Sequence, residues 1–511
     1  MNSRFFWVPL LVFAGFVRKP EAQPLHAQIS IDLDRYTGSI DSLIYGNFTE
    51  HLGRCIYGGI YDPGSPQSDR FGFRKDVEQA VKDLHVSIIR WPGGNFSSDY
   101  HWMDGIGPVA ERPKRRDLAW GGIEPNLVGT DEFLQWAARS GVQPYICVNM
   151  GTGTLDEAKY WVEYCNGAPG TYYADLRVKN GHPEPYHVRI WGLGNEIDGQ
   201  WQMGHKDAAD YGKFALEAAK LMKWQDTSIR LVASGSSNWG ADWMGWNRTV
   251  LEYLYPYVDY LSLHYYTGKT GKDHYQFMSS IDDLDRKIKI TAGLIQETRM
   301  KYHVMHPIYI ALDEYNVWYR AFNAQHLEEH YNLEDALVIA EYLNCIIRNA
   351  AVVKMANMAQ LVNVIAPMMI TGDSLWKQTI FFPFQLFATY CHGRSIDAEL
   401  EAPDHLLPDG KNLPLLDISA VRDDGTHTVA LNVVNRSADS SIQTQIRWFG
   451  AVLGGPGTAY TVNGKELSDE NSLRSRKVGI HTDPVAFSGN SLTYTFPAHS
   501  FTMIRIPLVG K

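Results

Sequence analysis

Between residues 42 and 395 short apolar runs alternate with longer stretches in which apolar residues return every three or four positions. The short runs are SLIYGNFTE (42–50), VSIIRWPGGN (86–95), QPYICVNMG (143–151), VRIWGLGNE (188–196), IRLVASGS (229–236), VDYLSLHYY (258–266), IYIALDEYN (308–316) and AQLVNVIAPM (359–368). All eight are apolar on both faces, as strands covered by helices on one side and packed on the other must be. Stretches such as KDVEQAVKDLH (75–85), TDEFLQWAARSG (130–141), AADYGKFALEAAKLMKW (208–224) and EDALVIAEYLNCIIRNAA (334–351) carry the helical period between them. Strand and helix repeated eight times predict an α/β fold, a (β/α)8 TIM barrel over residues 42–395. An open doubly wound sheet would want a glycine-rich phosphate turn after its first strand, and neither GxGxxG nor GxxxxGK[ST] occurs there.

After residue 395 the period changes from helical to alternating. HTVALNVVNRS (427–437), SIQTQIRWFG (441–450), TAYTVNG (458–464) and SLTYTFPAHSFTMIRIPL (491–508) predict an appended antiparallel β-sandwich over 396–511. The early strand-like AQISIDLDR, within residues 28–41 apart from its first alanine, is expected to pair into that sandwich, because chain ends often lie close together. Ahead of it, an early arginine, an apolar run over 5–17 and a polar stretch read as a signal peptide over 1–27, cleaved between 22 and 27. The expectation is an exported protein, periplasmic or secreted.

Composition narrows the chemistry. A formal net charge of −10, from 47 basic against 57 acidic residues, provides no broad cationic field, so nucleic acid is excluded as a partner. No stretch is apolar for long enough to span a bilayer, and no membrane partner is expected. The five cysteines lack CxxC spacing, so neither a zinc ribbon nor a disulfide framework is indicated.

Polar residues gather at the predicted C-terminal strand ends, the rim where such barrels carry their sites. They are Asn47 and Glu50, Asn95, Asn195 and Glu196, His264 and Tyr266, and Asp313, Glu314 and Asn316. One or two could be satisfied structurally, but so many buried polar groups at one rim favour a site. Glu196 and Glu314, on strands four and seven, can flank a bond from opposite sides. Glycosidic hydrolysis needs one carboxylic acid for the leaving oxygen and one carboxylate for the developing oxocarbenium carbon, and mutual repulsion would keep one of the pair protonated. Chemistry alone leaves open which glutamate does which. HLEEH (326–330) matches the H-x-x-E-H pattern of a zinc peptidase but falls in a polar loop, and is read as a solvated charged segment. NFT at Asn47 and NFS at Asn95 match the glycosylation acceptor pattern, but modification would block the site, so both are discounted.

GNFTEHLGRCIYGGIYDPGSP, RWPGGNFSSDYHW, YCNGAPGTYYADLRVKNGHPEPYHVRIWGLGNEIDGQWQMGH, LSLHYY, ALDEYNVWY and AQLVNVIAPM occur in order from about residue 29 onward. Together they resemble family 51 of the glycoside hydrolases, the α-L-arabinofuranosidases. The resemblance implies a retaining enzyme with Glu196 as acid/base and Glu314 as nucleophile. It implies that Glu50, Asn95, Asn195, Tyr266 and Gln360 hold the arabinofuranosyl ring, with the choice between Tyr265 and Tyr266 resting on loop alignment. Cys55, His264 and Trp318 are expected as a second tier. The substrate implied is an arabinose-containing oligo- or polysaccharide in hemicellulose or pectin side chains, attacked from its terminus. No cofactor and no metal are implied, and family members often form homo-oligomers, trimers or hexamers. The rival readings are another retaining glycosidase on this barrel, such as a β-xylosidase or endoglucanase, and a carbohydrate-binding protein without catalysis.

Overall fold

A computed structural model of the chain describes residues 25–321, 327–450, 453–487 and 489–509. The apolar run 5–17 and the rest of 1–24 lie outside the described residues. Eight parallel strands close into a barrel: Gly46–Phe48, Ile88–Trp91, Gln143–Cys147, Ile190–Leu193, Arg230–Ala233, Tyr260–Thr267, Tyr309–Val317 and Val353–Ala359. Closure comes from the eighth strand on the first, where Asn357 pairs with Gly46 and Ala359 with Phe48.

Two runs fold differently from the expectation. Over 42–50 only Gly46–Phe48 is strand; a 3₁₀ turn over Ser42–Tyr45 precedes it, capped by Asp41, whose carboxylate accepts the Leu43 N–H at 3.0 Å. That turn aims Leu43 into the barrel floor. The eighth strand is VKMANMA (353–359), and the run 359–368 forms the loop beyond it. Lys354 and Asn357 break its apolar pattern, yet both are buried with partners: Lys354 Nζ on Ser39 O at 2.5 Å, Asn357 Nδ2 on Asn47 O at 2.9 Å.

Inside the barrel, alternation sorts side chains by height. Leu43, Ile88, Tyr145, Ile190, Val232, Tyr260, Ala311 and Met355 form an apolar floor. Above it the same inward faces turn polar: Arg90 follows Ile88, and Ser262, His264 and Tyr266 follow Tyr260. Leu261, Leu263 and Tyr265 point the other way, into the shell shared with the helices.

The C-terminal domain is one hydrogen-bonded set of nine strands. Leu25–Ser39 lies within it, between Arg394–Glu401 and Ile442–Phe449. It runs parallel to Ile442–Phe449, so the domain is a mixed sheet where an antiparallel one was expected; the other pairings of the nine strands are antiparallel. Thr428–Asn435 is buried on both faces because Leu431 and Val433 enter the domain core while Ala430 and Val434 pack against the barrel. The helix Leu333–Arg348 carries the junction, where Arg436 Nε pairs with the buried Glu341 at 2.5 Å and Arg348 Nη1 with Asp417 at 2.8 Å.

Candidate active site

A cavity of about 470 Å³ opens at the C-terminal rim, lined among others by Glu50, Asn95, Glu196, His264, Tyr266, Glu314 and Gln360. Seven strand ends or loops meet there, so residues remote in sequence share one small volume.

Glu314 reaches it through a register shift. Ala311 pairs with Ser262 but Glu314 pairs with His264, three residues of strand seven against two of strand six. Simple alternation from Ala311 would send Asp313 inward and Glu314 outward; the extra residue of this bulge turns both inward. Asp313 sits beneath, bonded by the hydroxyls of Tyr145 at 2.7 Å and of Ser262. Above it, Glu314 Oε2 accepts Arg90 Nη1 at 2.7 Å and Oε1 accepts the Tyr266 hydroxyl at 2.8 Å. Burial alone would raise the pKa of Glu314. The charges of His264 and Arg90 and the bonds from Arg90 and Tyr266 outweigh burial and hold it below the usual carboxylate value.

Glu196 follows strand four in a turn where Gly194 (φ +87°) and Glu196 itself (φ +47°) take the left-handed region. An ordinary side chain rarely adopts that backbone, and here it presents the carboxyl to the cavity. Its Oε1 faces His264 Nδ1 at 3.0 Å and its Oε2 accepts the Trp201 indole N–H at 2.6 Å. One oxygen of Glu196, one of Glu314 and a ring nitrogen of His264 all lie within 4.8 Å of one another.

His264 therefore stands between the two carboxylates, with Nδ1 3.4 Å from Glu314 and Nε2 3.6 Å from Asp313. Burial disfavours charging the ring, but Glu314, Glu196 and Asp313 more than offset that and lift its pKa to about 9. Repulsion between the glutamates is thus not the only field acting on them, as a cation stands between. A protonated imidazole donates hydrogen bonds to both carboxylates, so the trio forms a proton-bearing network at the floor of the cavity.

Glu50 is buried at the side of the cavity, where its oxygens accept the Phe96 N–H at 3.0 Å, the Trp120 indole N–H at 2.9 Å and Gln360 Nε2 at 3.0 Å. Burial pushes its pKa up to about 7 against those bonds, with Glu314 adding to the rise. Asn195 accepts from Arg90 Nη2 and approaches Asn95 at 3.4 Å. Gln360 Oε1 is buried without a partner among the described residues. The tyrosine choice falls to geometry: Tyr266 bonds Glu314, whereas Tyr265 points outward to Ser280 O at 3.0 Å and Asp283 at 3.2 Å.

Other candidates lie apart. Asn47 is fully buried and bonds its neighbour's Phe48 N–H at 2.7 Å, while Asn316 ties Ile365 O at 2.7 Å and so shapes the loop after strand eight. Cys55 packs against Thr49 with Sγ and Oγ1 3.2 Å apart, outside the cavity lining; Trp318 is in the lining, edge-on to Tyr266. All five cysteines are buried and unpaired. In HLEEH, His326 lies outside the described residues, Glu329 pairs with Arg320 at 2.7 Å and Glu328 with Arg54 at 2.7 Å. Arg90, Trp120, Trp201 and Trp239 were not singled out from sequence. For Arg90 the signal was there: a lone charge inside an apolar strand needs a buried partner.

Residues 80–287 match the family model described as "Alpha-L-arabinofuranosidase 1 domain" and residues 313–500 the one described as "Alpha-L-arabinofuranosidase C-terminal domain". A Bacillus subtilis protein named "Intracellular exo-alpha-(1->5)-L-arabinofuranosidase 1" is 40% identical over 494 residues, 94% of this chain and 99% of that protein. "Probable alpha-L-arabinofuranosidase C" of Aspergillus terreus is 42% identical over 499 residues, 93% of this chain and 97% of its own. The crystal structure of α-L-arabinofuranosidase from Thermotoga maritima, an arabinose complex, superposes with a TM-score of 0.87 at 39% identity, covering 94% of this chain and all of that one.

The names also correct one expectation. The Bacillus relative and those of Halalkalibacterium halodurans and Acetivibrio thermocellus are called intracellular, which overturns the expectation of export. With two matching family models, relatives at about 40% identity across nearly the whole length and a closed barrel bearing paired glutamates, this chain belongs to glycoside hydrolase family 51, the α-L-arabinofuranosidases.

Proposed function

We propose that the enzyme is a retaining, exo-acting α-L-arabinofuranosidase that works inside the cell on arabinose-containing oligosaccharides from hemicellulose or pectin. The observation that carries this reading is the approach of a carboxylate oxygen of Glu196 to within 4.8 Å of one of Glu314. Retaining glycosidases hold their carboxyls about 5–5.5 Å apart, and inverting ones leave room for a water between them.

Glu314, kept ionised by Arg90, His264 and Tyr266, attacks the anomeric carbon. Glu196 passes its proton to the glycosidic oxygen as that bond breaks. Glu196 then takes a proton from the water that attacks the glycosyl ester, releasing arabinose and restoring Glu314. Asn195, fixed by Arg90, offers its amide to a ring hydroxyl beside the reacting carbon. Glu50, Asn95 and Gln360, whose Oε1 still wants a donor, grip the others. Hydroxyl-matched sites reject sugars that leave such groups unpaired by roughly 10^4-fold. The exo mode and (1→5) preference follow the name of the Bacillus relative. Assembly as a trimer or hexamer completes the reading, and sedimentation would measure it.

Proton NMR of the first-formed sugar, or of a methanol transglycosylation product, tests the mechanism. Retained configuration is expected; an inverted anomer would refute the covalent intermediate. Faster cleavage of a β-D-xylopyranoside, or of internal cellulose bonds, than of the α-L-arabinofuranoside would move the enzyme to the rival substrate class.

A further inference from the structure

A second cavity, of about 410 Å³, lies beside the first and is lined by His205, Lys206, Asn238, Asp242, Trp243 and Thr249 among others. The two are separated by the segment after strand five, which serves both: Ser237 and Trp239 line the catalytic cavity while Asn238, Gly240 and Trp243 line its neighbour. This partition is held in place. Asp198, two residues beyond Glu196, accepts the N–H groups of Ser237 and Asn238, both at 2.8 Å, and the Ser237 hydroxyl. Trp239 is pinned through its indole N–H on His264 O at 2.9 Å. Trp243 stands edge-on to Trp239 with centroids 5.0 Å apart, so an aromatic path crosses from one cavity to the other.

Direction follows from the chemistry. Glu196 protonates the leaving oxygen, so the departing chain exits on the Glu196 side, and Asp198 ties that same turn to the partition. The second cavity has the mixture that binds neutral sugars, an indole face for the C–H surface of a ring and polar groups for its hydroxyls. Asn238 and Asp242 are exposed at its edge. Lys206 spends two of its three donors on Met150 O at 3.0 Å and Gly204 O at 2.9 Å, leaving one, and His205 Nδ1 lies 2.9 Å from Ile197 O, so Nε2 is the ring nitrogen left for a sugar hydroxyl.

We infer that this second cavity binds the leaving saccharide chain, holding sugar units beyond the one attached at the scissile bond. The inference rests on the proposed assignment of Glu196 as the acid. It makes the enzyme chain-length selective: a substrate long enough to cross Trp239 gains contacts that an aryl glycoside or a disaccharide cannot make.

The test compares kcat/KM of the wild type, Trp243→Ala and Asn238→Ala with Asp242→Ala on 4-nitrophenyl α-L-arabinofuranoside, α-1,5-arabinobiose and α-1,5-arabinotetraose. A xylo-oligosaccharide carrying a terminal arabinofuranose is the further arm. Each variant is expected to keep the aryl and disaccharide rates within about twofold while losing about tenfold on the longer chains, the scale of one aromatic contact and a few hydrogen bonds. The arm that suffers more identifies whether an arabinan or a xylan chain is the occupant. Equal rates on short and long chains in the wild type, or variants that lower all substrates together, would overturn the inference. Loss of the aryl activity in the wild type itself would instead remove the proposed function.

Discussion

Nδ1 of His264, on strand six, lies 3.0 Å from Oε1 of Glu196, in the turn after strand four. Since burial is outweighed by the carboxylates around the ring, its pKa stands at about 9 against 6.5 for an ordinary histidine. A raised pKa means the folded state holds the proton more tightly than the unfolded chain. The resulting stabilisation is complete below about pH 6.5 and is lost as pH rises through about 9. Urea unfolding at pH 6 and at pH 9.5 should show this loss, and His264→Gln should remove it. An unchanged slope in the variant would show that the ring is neutral.

The two glutamates should separate by leaving group. Glu314→Ala is expected to lose roughly 10^4-fold or more of its turnover on every substrate. Glu196→Ala should retain appreciable activity on aryl glycosides whose leaving group needs no proton, with azide accelerating its deglycosylation. Azide rescue in the Glu314 variant and none in the Glu196 variant would reverse the assignment.

Glu50 titrates at about 7, raised from 4.5 first by burial. A carboxyl with a raised pKa costs stability as it ionises, so stability should fall between about pH 4.5 and 7 from this group. In the folded enzyme it changes from a hydroxyl donor to a pure acceptor as pH rises through about 7, so KM should bend near pH 7. Glu50→Gln, which keeps the shape, should flatten both curves. A bend that survives in this variant belongs to another group.

Arg436 is the charge partner of Glu341, a buried carboxyl whose pKa is pushed up to about 8 by burial despite that arginine. Arg436→Ala leaves Glu341 and Asp417 facing each other across the barrel and sheet junction. A cost of about 3–5 kcal/mol is expected in denaturant unfolding, the range for removing one partner of a buried pair. A loss below 1 kcal/mol would mean that water already reaches the junction.

Two carboxylates suffice for the displacement. EDTA should leave the rate unchanged, and His326→Ala with His330→Ala should cost little. Activity lost to the chelator and restored by zinc would sink the carboxylate-only account.

Period and spacing in the sequence were enough for the barrel, because eight apolar runs separated by helical stretches have few other ways to bury both faces. The same local signal failed where partners lay far away. Lys354 and Asn357 interrupt the eighth strand as polar residues, and only the backbone oxygens of Ser39 and Asn47 make them buried and satisfied. Tyr266 lies on the inward face it shares with His264 and bonds Glu314, whereas the Tyr265 hydroxyl bonds Ser280 O on the outer side.

Motif chemistry in the sequence named both glutamates. How they face each other was decided by tertiary structure: the one-residue bulge between Ala311 and Glu314 puts Asp313 and Glu314 on the same inner face, against the period-two rule. Arg90, His264 and Tyr266 reach Glu314 only when strands two, six and seven close around one axis. The charge states of the site belong to that closure as well. An imidazolium with pKa about 9 and a glutamate with pKa about 7 arise from burial and neighbours more than forty residues away along the chain, and a pKa is a property of surroundings that no single stretch of sequence contains.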